Sequence, residues 1–152
     1  MKLTLGMATI DDFDGVRMTV QAAKIAAEEA GVELTQIIVV NNRPESRHGQ
    51  DTAEFVTKKI GPEALHVPFK EFESTSVRNL VFKHSTGEWT VCSDSHVIHY
   101  PDYFRSLKKF AEDNPGSRDI VHGPMILDNL RSMHSEWKPR WRGEMHGTWF
   151  DN

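Results

Sequence analysis

The segment LTQIIVV, residues 34–40, constrains the fold more than any other part of the 152-residue chain. It is almost continuously apolar and rich in β-branched side chains, which is typical of a strand that is covered on both faces. Strands of this kind belong to parallel sheets, and parallel neighbours need a crossover connection that is usually a helix. The segment therefore predicts an α/β protein.

Strand-like and helix-like segments alternate on both sides of this run. Further strands are predicted at residues 2–8, 64–67, 88–93 and 119–121, and helices at residues 15–30, 51–60, 75–84 (capped by Ser74 or Thr75) and from Pro101 to the Asn114-Pro115-Gly116 turn. Asp51 and Glu54 have capping-box spacing, and Pro101 suits a first helical turn. The order predicts a three-layer α/β/α, Rossmann-like domain with a mostly parallel sheet. After residue 121 the alternation fails. We treat residues 1–152 as a single domain in which 122–152 form a tail rich in aromatic and basic residues.

Composition excludes several classes of protein. A hydrophobic fraction of 38% in 152 residues suffices for one core, and a net charge of −4 argues against nucleic-acid binding as the main role. The single cysteine, Cys92, allows neither an internal disulfide nor a cysteine-based zinc site, and we expect it to be a small core residue. No run approaches the roughly 18 apolar residues of a membrane span, and the N-terminus turns acidic where a secretion signal would be cleaved. We therefore expect a cytoplasmic protein without a transmembrane segment.

The motif Asp94-Ser95-His96 follows the predicted strand 88–93. In an extended or tight-turn backbone, side chains two residues apart can point the same way, so a carboxylate and an imidazole can face one ion. This pair of ligands suits manganese, zinc or a similar divalent cation. The alternative is that Asp94 caps a turn and His96 is an ordinary surface residue.

Polar residues that suit a nucleotide also lie near the carboxyl ends of the other strands, where parallel sheets bind ligands. They are Thr9 and Asp11 after the first strand, Asn41 and Asn42 after the second, and Arg78 and Asn79 in the helix before the fourth. Each has an ordinary alternative, such as a helix cap for Asp11, a turn former for Asn41 and a solvated helix residue for Arg78. Their convergence on one rim favours a nucleotide site.

Three stretches, LTLGMATIDD, QIIVVNN and VRNLVFKHSTGEWTVCSDSHV, resemble the family 2 glycosyltransferases of GT-A fold, which transfer a sugar from a nucleotide sugar. The Gly87-Glu88 pair before an apolar strand and a metal motif is the most specific part. His96 stands where the family commonly has a second aspartate, which is similar to the D-S-H motif of polypeptide N-acetylgalactosaminyltransferases, where both side chains face the metal. Asn41 stands where an aspartate is common. The segments DIVHGPMILDNL and PRWRGEMHGTW resemble a bacterial and phage branch.

The resemblance implies a transferase dependent on Mn²⁺ or Mg²⁺ that moves a sugar from a nucleotide-diphosphate sugar, of the UDP type, to a hydroxyl acceptor. It implies metal ligation by Asp94 and His96, and His122 is a candidate third ligand or merely a hydrogen-bonded residue. Asp151 and Glu144, with His146, are candidates by position for the group that deprotonates the acceptor, and the alternative is that they are exposed tail residues. The tail also holds possible sugar-stacking or packing residues and possible phosphate contacts, namely Trp137, Trp141, Trp149, Arg140 and Arg142.

The family's acceptor half normally includes a Gly-Gly-Glu segment, and this sequence contains none. Two hypotheses follow: a truncated or minimal transferase, and a nucleotide-sugar-binding module that keeps only the donor half. In either case an oligomer or a partner chain is a candidate for completing the acceptor site. A nucleotidyltransferase is a weaker alternative because ATIDDF contains no glycine to bring backbone amides against a phosphate.

Overall fold

The computed structural model describes residues 1–71, 75–121, 123, 125–126, 129, 131, 133–142 and 146–151. The chain divides into two compact units, Met1–Asn114 and Pro115–Asn152. The assignment of residues 1–152 to a single domain stays a prediction.

The first unit is built on a parallel four-stranded sheet. Its strands are β1 (Lys2–Thr9), β2 (Glu33–Asn41), β3 (Ala64–Pro68) and β4 (Trp89–Asp94), in the order β3-β2-β1-β4. β2 is the apolar run from which the α/β class was predicted, and its last five residues are all buried. The parallel sheet and the α/β class are confirmed.

Helices connect these strands, and one more helix follows the last strand. They are α1 (Phe13–Glu29), α2 (Arg47–Phe55) extended by a π-helical turn (Val56–Ile60), a 3₁₀ turn (Thr75–Arg78) that leads into α3 (Asn79–His84), and α4 (Pro101–Asp113). Pro101 occupies the first turn of α4, where its missing N–H costs no helical hydrogen bond.

Two apolar clusters place the helices on opposite faces of the sheet. One contains Leu5 and Met7 of β1 with Val16 of α1 and Phe104 of α4. The other contains residues of β2, the 3₁₀ turn and α3, namely Ile38, Val40, Val77 and Val81. Alternate residues of the buried strands therefore face different helices, as period-2 geometry requires. The result is the expected three-layer arrangement.

Two local predictions are wrong, and a third is confirmed in part. Helix α2 begins four residues before Asp51, because the Ser46 hydroxyl accepts the Gly49 N–H at 2.9 Å and caps the helix there. The predicted helix 75–84 is a 3₁₀ turn followed by a short α-helix, and Ser74 lies outside the described residues. Residues 119–121 are not a strand.

The second unit contains an antiparallel sheet in the order β5-β6-β7, where β5 is Met125–Ile126, β6 is Met133–Arg142 and β7 is His146–Asp151. The β6–β7 register shifts between Lys138 and Trp141, on either side of Pro139. Proline has no N–H to donate to a ladder, so a break at this point is expected. Over the part of the chain that the structure describes, no helix has the length and apolar character needed to cross a bilayer.

Candidate functional site

The carboxyl ends of β1, β2 and β4 form one edge of the parallel sheet. Thr9 is the register partner of Asn41, and Ala8 is the partner of Asp94. Asn41 and Asp94 thus lie at the same edge, as predicted. Most of the candidate nucleotide and metal residues of the first unit lie at this edge or in the segments that directly follow these strands.

Asp94, the last residue of β4, forms an ion pair with Arg78 of the 3₁₀ turn through its Oδ1 and the arginine Nη2. The side chains are 38% and 39% exposed, so the pair is accessible to a ligand as well as to water. Arg78 comes from the α3 side of the sheet. Burial raises the pKa of the neighbouring strand residue Cys92, which keeps its thiol protonated and agrees with a packing role.

Asp12 connects the start of α1 to the Asp94-Ser95-His96 turn, and sequence reasoning did not select it. Its Oδ1 accepts the Gly15 N–H at 3.0 Å, its Oδ2 accepts the Ser95 hydroxyl at 2.9 Å, and the same oxygen lies 3.3 Å from His96 Nδ1. A side chain on Gly15 would collide with both Asp12 and the Ser95 carbonyl. The spacing Asp-x-x-Gly before a helical stripe was the available signal, since an N-cap side chain bonds the N–H three residues on.

The electrostatics of Asp12 reflect these contacts. Partial burial raises its pKa, but the hydrogen bonds from Ser95, from the Gly15 N–H and from His96 together outweigh burial and hold the pKa below the ordinary 3.8. Asp12 is therefore an anion at neutral pH. Asp11, a predicted nucleotide residue with a helix cap as its alternative, is exposed and adopts a left-handed conformation with φ of 57°. The cap of α1 is its neighbour Asp12, so the alternative is wrong, and the nucleotide role stays a prediction.

Asn41 is completely buried, and its amide is engaged within the chain. Its Nδ2 donates to the Gly49 carbonyl at 2.9 Å and lies 3.1 Å from His66 Nε2, while its Oδ1 accepts the Arg43 N–H at 3.2 Å. The Arg43 donor and the Gly49 acceptor are backbone groups with fixed roles, so they fix the orientation of the amide. His66 Nε2 must then be the acceptor. Burial lowers the pKa of His66 and keeps the ring neutral, as this acceptor role requires.

The other predicted nucleotide residues have varied surroundings. Thr9 is buried, and its hydroxyl lies 3.4 Å from the Asp12 carbonyl. Asn42 is buried, and its N–H donates to the Thr9 carbonyl at 3.0 Å. Asn79 is exposed at the start of α3. None of these contacts tests the predicted nucleotide role.

Two of the surface grooves lie on the described part of the first unit. The one beside the end of β2 has a volume of about 300 Å³ and is lined by residues 42–46 and Lys70. Lys70 pairs with Glu45 there. The other, about 560 Å³, lies between α1 and α2 and is lined by residues such as Phe13, Arg17 and Phe55. We assign the smaller groove to the site, because it includes Asn42 at the carboxyl edge.

Among the described residues, no group of three or more histidine, cysteine or acidic side chains is arranged to hold a metal ion. His122 and Glu144 lie outside the described residues. Asp151 is the last residue of β7, which begins at His146. Trp137, Arg140, Trp141 and Arg142 lie in β6 and Trp149 lies in β7. Their predicted roles stay predictions.

Comparison with known proteins identifies the fold. The family model described as "Glycosyl transferase family 2" matches residues 21–150. A crystal structure of S. aureus TarS aligns with a TM-score of 0.51 and 15% identity over 74% of this chain and 20% of that one. A structure of S. aureus TarS residues 1–349 aligns with a TM-score of 0.50 and 13% identity over 80% of this chain and 39% of that one. The chain thus spans well under half the length of either. No curated protein sequence matches it.

Proposed function

The chain belongs to glycosyl transferase family 2, and from this premise we propose that it transfers a sugar from a nucleotide-diphosphate sugar, of the UDP type, to a hydroxyl acceptor. The observation that carries the proposal is the convergence of Arg78, Asp94 and His96 at the carboxyl edge of a parallel sheet in a chain of this family. Such an edge is where open α/β sheets bind nucleotides.

In the proposed complex the diphosphate lies beside the Arg78–Asp94 pair. A planar guanidinium presents several N–H donors, so Arg78 can contact a phosphate oxygen without losing the carboxylate. The nucleoside occupies the groove beside Asn42 and Lys70, where it meets polar side chains. Asn41 acts indirectly in this arrangement, because its amide is engaged with the backbone and His66.

The donor chemistry of Asp94 and His96 fits a divalent cation, Mn²⁺ or Mg²⁺. Arg78 engages Oδ1 of Asp94 and Asp12 approaches Nδ1 of His96, so Oδ2 and Nε2 are the atoms that would hold the ion. Two protein ligands suffice where phosphate oxygens and water complete the coordination. When bound, the ion neutralises charge on the departing nucleotide diphosphate. His122 is retained as a proposed third ligand.

The acceptor hydroxyl needs a base, and Asp151 and Glu144 stay the proposed candidates. An Asp151→Asn exchange that abolishes transfer but leaves nucleotide diphosphate binding intact would support a catalytic role. Loss of both transfer and nucleotide diphosphate binding would instead indicate that Asp151 supports folding or donor binding.

The test of the proposed function is incubation of the chain with Mn²⁺ and a panel of nucleotide sugars, with and without candidate acceptors, while nucleotide-sugar binding and nucleotide diphosphate release are both measured. Asp94→Ala should abolish release. The matched control is Asp113→Ala, because Asp113 also pairs with a cation, Lys109 at 2.7 Å, but lies at the end of α4. Acceptor-dependent release supports transfer. Metal-dependent binding without release favours the non-catalytic module, and no binding of any nucleotide sugar rejects the proposal.

A further inference from the structure

The Asp12 carboxylate is shared between a helix start and the metal-motif turn. One oxygen accepts the Gly15 N–H in the first turn of α1, and the other accepts the Ser95 hydroxyl and approaches His96 Nδ1. Ser95 is only 4% exposed, so its hydroxyl is directed inward to Asp12 and not to solvent. The turn that carries His96 is thereby attached to α1.

This contact determines which nitrogen of the neutral imidazole carries the proton. A carboxylate only accepts hydrogen bonds, so Nδ1 must be the N–H donor and Nε2 keeps its lone pair. The His96 side chain is 67% exposed, and its far edge is therefore available to a ligand. Histidines that bind metals through one nitrogen commonly donate the other N–H to a carboxylate, which fixes tautomer and ring orientation.

We propose that Asp12 is a positioning residue: it holds His96 in the Nδ1–H tautomer and orients Nε2 toward the divalent cation that binds with the nucleotide diphosphate. This inference rests on the proposed metal role of Asp94 and His96. Asp12 acts through His96 and not as a ligand, since both of its oxygens are engaged by groups of the chain.

The Asp12→Asn variant separates this role from folding. Asparagine caps helices as well as aspartate does, and its oxygen can still accept the Gly15 N–H. Its amide N–H₂ then takes the position of Oδ2 and donates one hydrogen to the Ser95 hydroxyl, which turns to accept it, and the other to His96 Nδ1. His96 Nδ1 must therefore become an acceptor, and its proton moves to Nε2. The variant should therefore fold normally and present the wrong nitrogen to a metal ion.

The first measurement needs no metal. In metal-free protein with ¹⁵N-labelled histidine at pH 8, long-range ¹H–¹⁵N correlation should show His96 as the Nδ1–H tautomer in the parent and mainly as Nε2–H in Asp12→Asn. The second is Mn²⁺ binding in the presence of uridine diphosphate, followed by electron paramagnetic resonance. Asp12→Asn should weaken it by about 10- to 100-fold, the usual effect of losing a carboxylate that orients a metal-binding histidine.

A matched double variant supplies the control. In a His96→Asp background the ligand is a carboxylate without tautomers, so adding Asp12→Asn should change Mn²⁺ affinity by less than about threefold. Equal losses in both backgrounds, or an unchanged His96 tautomer in Asp12→Asn, would overturn the positioning role. A parent-like Mn²⁺ affinity in His96→Ala would have a different meaning. It would show that His96 is not a metal ligand, and it would reject the metal-dependent form of the proposed function together with the positioning role of Asp12.

Discussion

Exchanging Asn41 for aspartate replaces one NH₂ group by an oxygen, and we expect it to destabilise the first unit severely. The parent amide donates to the Gly49 carbonyl and to His66 Nε2, and it accepts from the Arg43 N–H. An ionised aspartate keeps only the last of these bonds. It also places an oxygen against the Gly49 carbonyl in a position that is 0% exposed, where water cannot compensate.

The magnitude follows from the two bonds that are lost. A buried polar group without a partner costs about 1–3 kcal/mol. The Gly49 carbonyl bears this cost fully, whereas His66 recovers part of it by moving its proton to Nε2 and donating to the new carboxylate. The expected loss is about 2–5 kcal/mol, a large share of the roughly 5–15 kcal/mol that stabilises a typical domain.

Urea unfolding of the full chain, followed by circular dichroism, measures this loss. Asn114→Asp is the matched control, because Asn114 makes the same kind of amide-to-carbonyl bond, to Phe110 at 2.9 Å, in an exposed position. It should change stability by less than about 1 kcal/mol, as surface bonds are replaced by water. The Asn41→Asp deficit should also shrink between pH 7.5 and 5.5, since a protonated His66 pairs with the carboxylate.

A parent-like stability of Asn41→Asp would refute this reasoning. It would mean that the amide does not bond Gly49 and His66 and is free to contact a nucleotide base, as the family resemblance implies. A destabilised variant with an unchanged preference among nucleotide bases supports the structural role.

Three further outcomes are expected. Arg78→Ala should weaken nucleotide diphosphate binding by about 1.5–3 kcal/mol in calorimetry, the scale of a charge-assisted hydrogen bond, and an unchanged affinity removes Arg78 from the site. Asp94→Ala should abolish metal-dependent nucleotide binding, whereas His96→Asp should preserve it and shift the preference toward Mg²⁺, as metal titrations would show. Burial lowers the pKa values of His66 and His99 below 6.5, so the fold binds fewer protons than the unfolded chain. Stability should be complete above about pH 6.5 and fall as the pH drops toward the folded-state values, which urea midpoints at pH 7.5 and 5.5 would reveal.

The strands of the first unit were predictable because their signal is local. The predicted strand 34–40 corresponds to Glu33–Asn41, and the shared edge of Asn41 and Asp94 follows once the strands are parallel. Residue identities along a strand determine burial directly. The second sheet was missed because β6 includes Pro139, which argues against a central strand.

Helix starts were less predictable, because several side chains satisfy the same spacing rule. Ser46 and Asp51 both precede helix-forming residues, and Asp11 and Asp12 both precede α1. Which residue caps depends on the backbone path after each strand. The spacing Asp-x-x-Gly favours Asp12, but the left-handed conformation of Asp11, which turns the chain into the helix at Asp12, is not visible in the sequence.

The orientation of the side chains in the metal motif was also hard to predict, because it depends on the backbone path after β4. The expectation that Asp94 and His96 can point the same way allowed an extended or a tight-turn backbone, and the structure has the turn, since β4 ends at Asp94 and residues 95–96 form a turn. Period-2 alternation stops where the strand stops. The two side chains are instead held by contacts distant in sequence, Asp94 by Arg78 and His96 by Asp12. The motif therefore indicates which ligand types are present, while residues from the two helical layers determine which atoms those ligands offer.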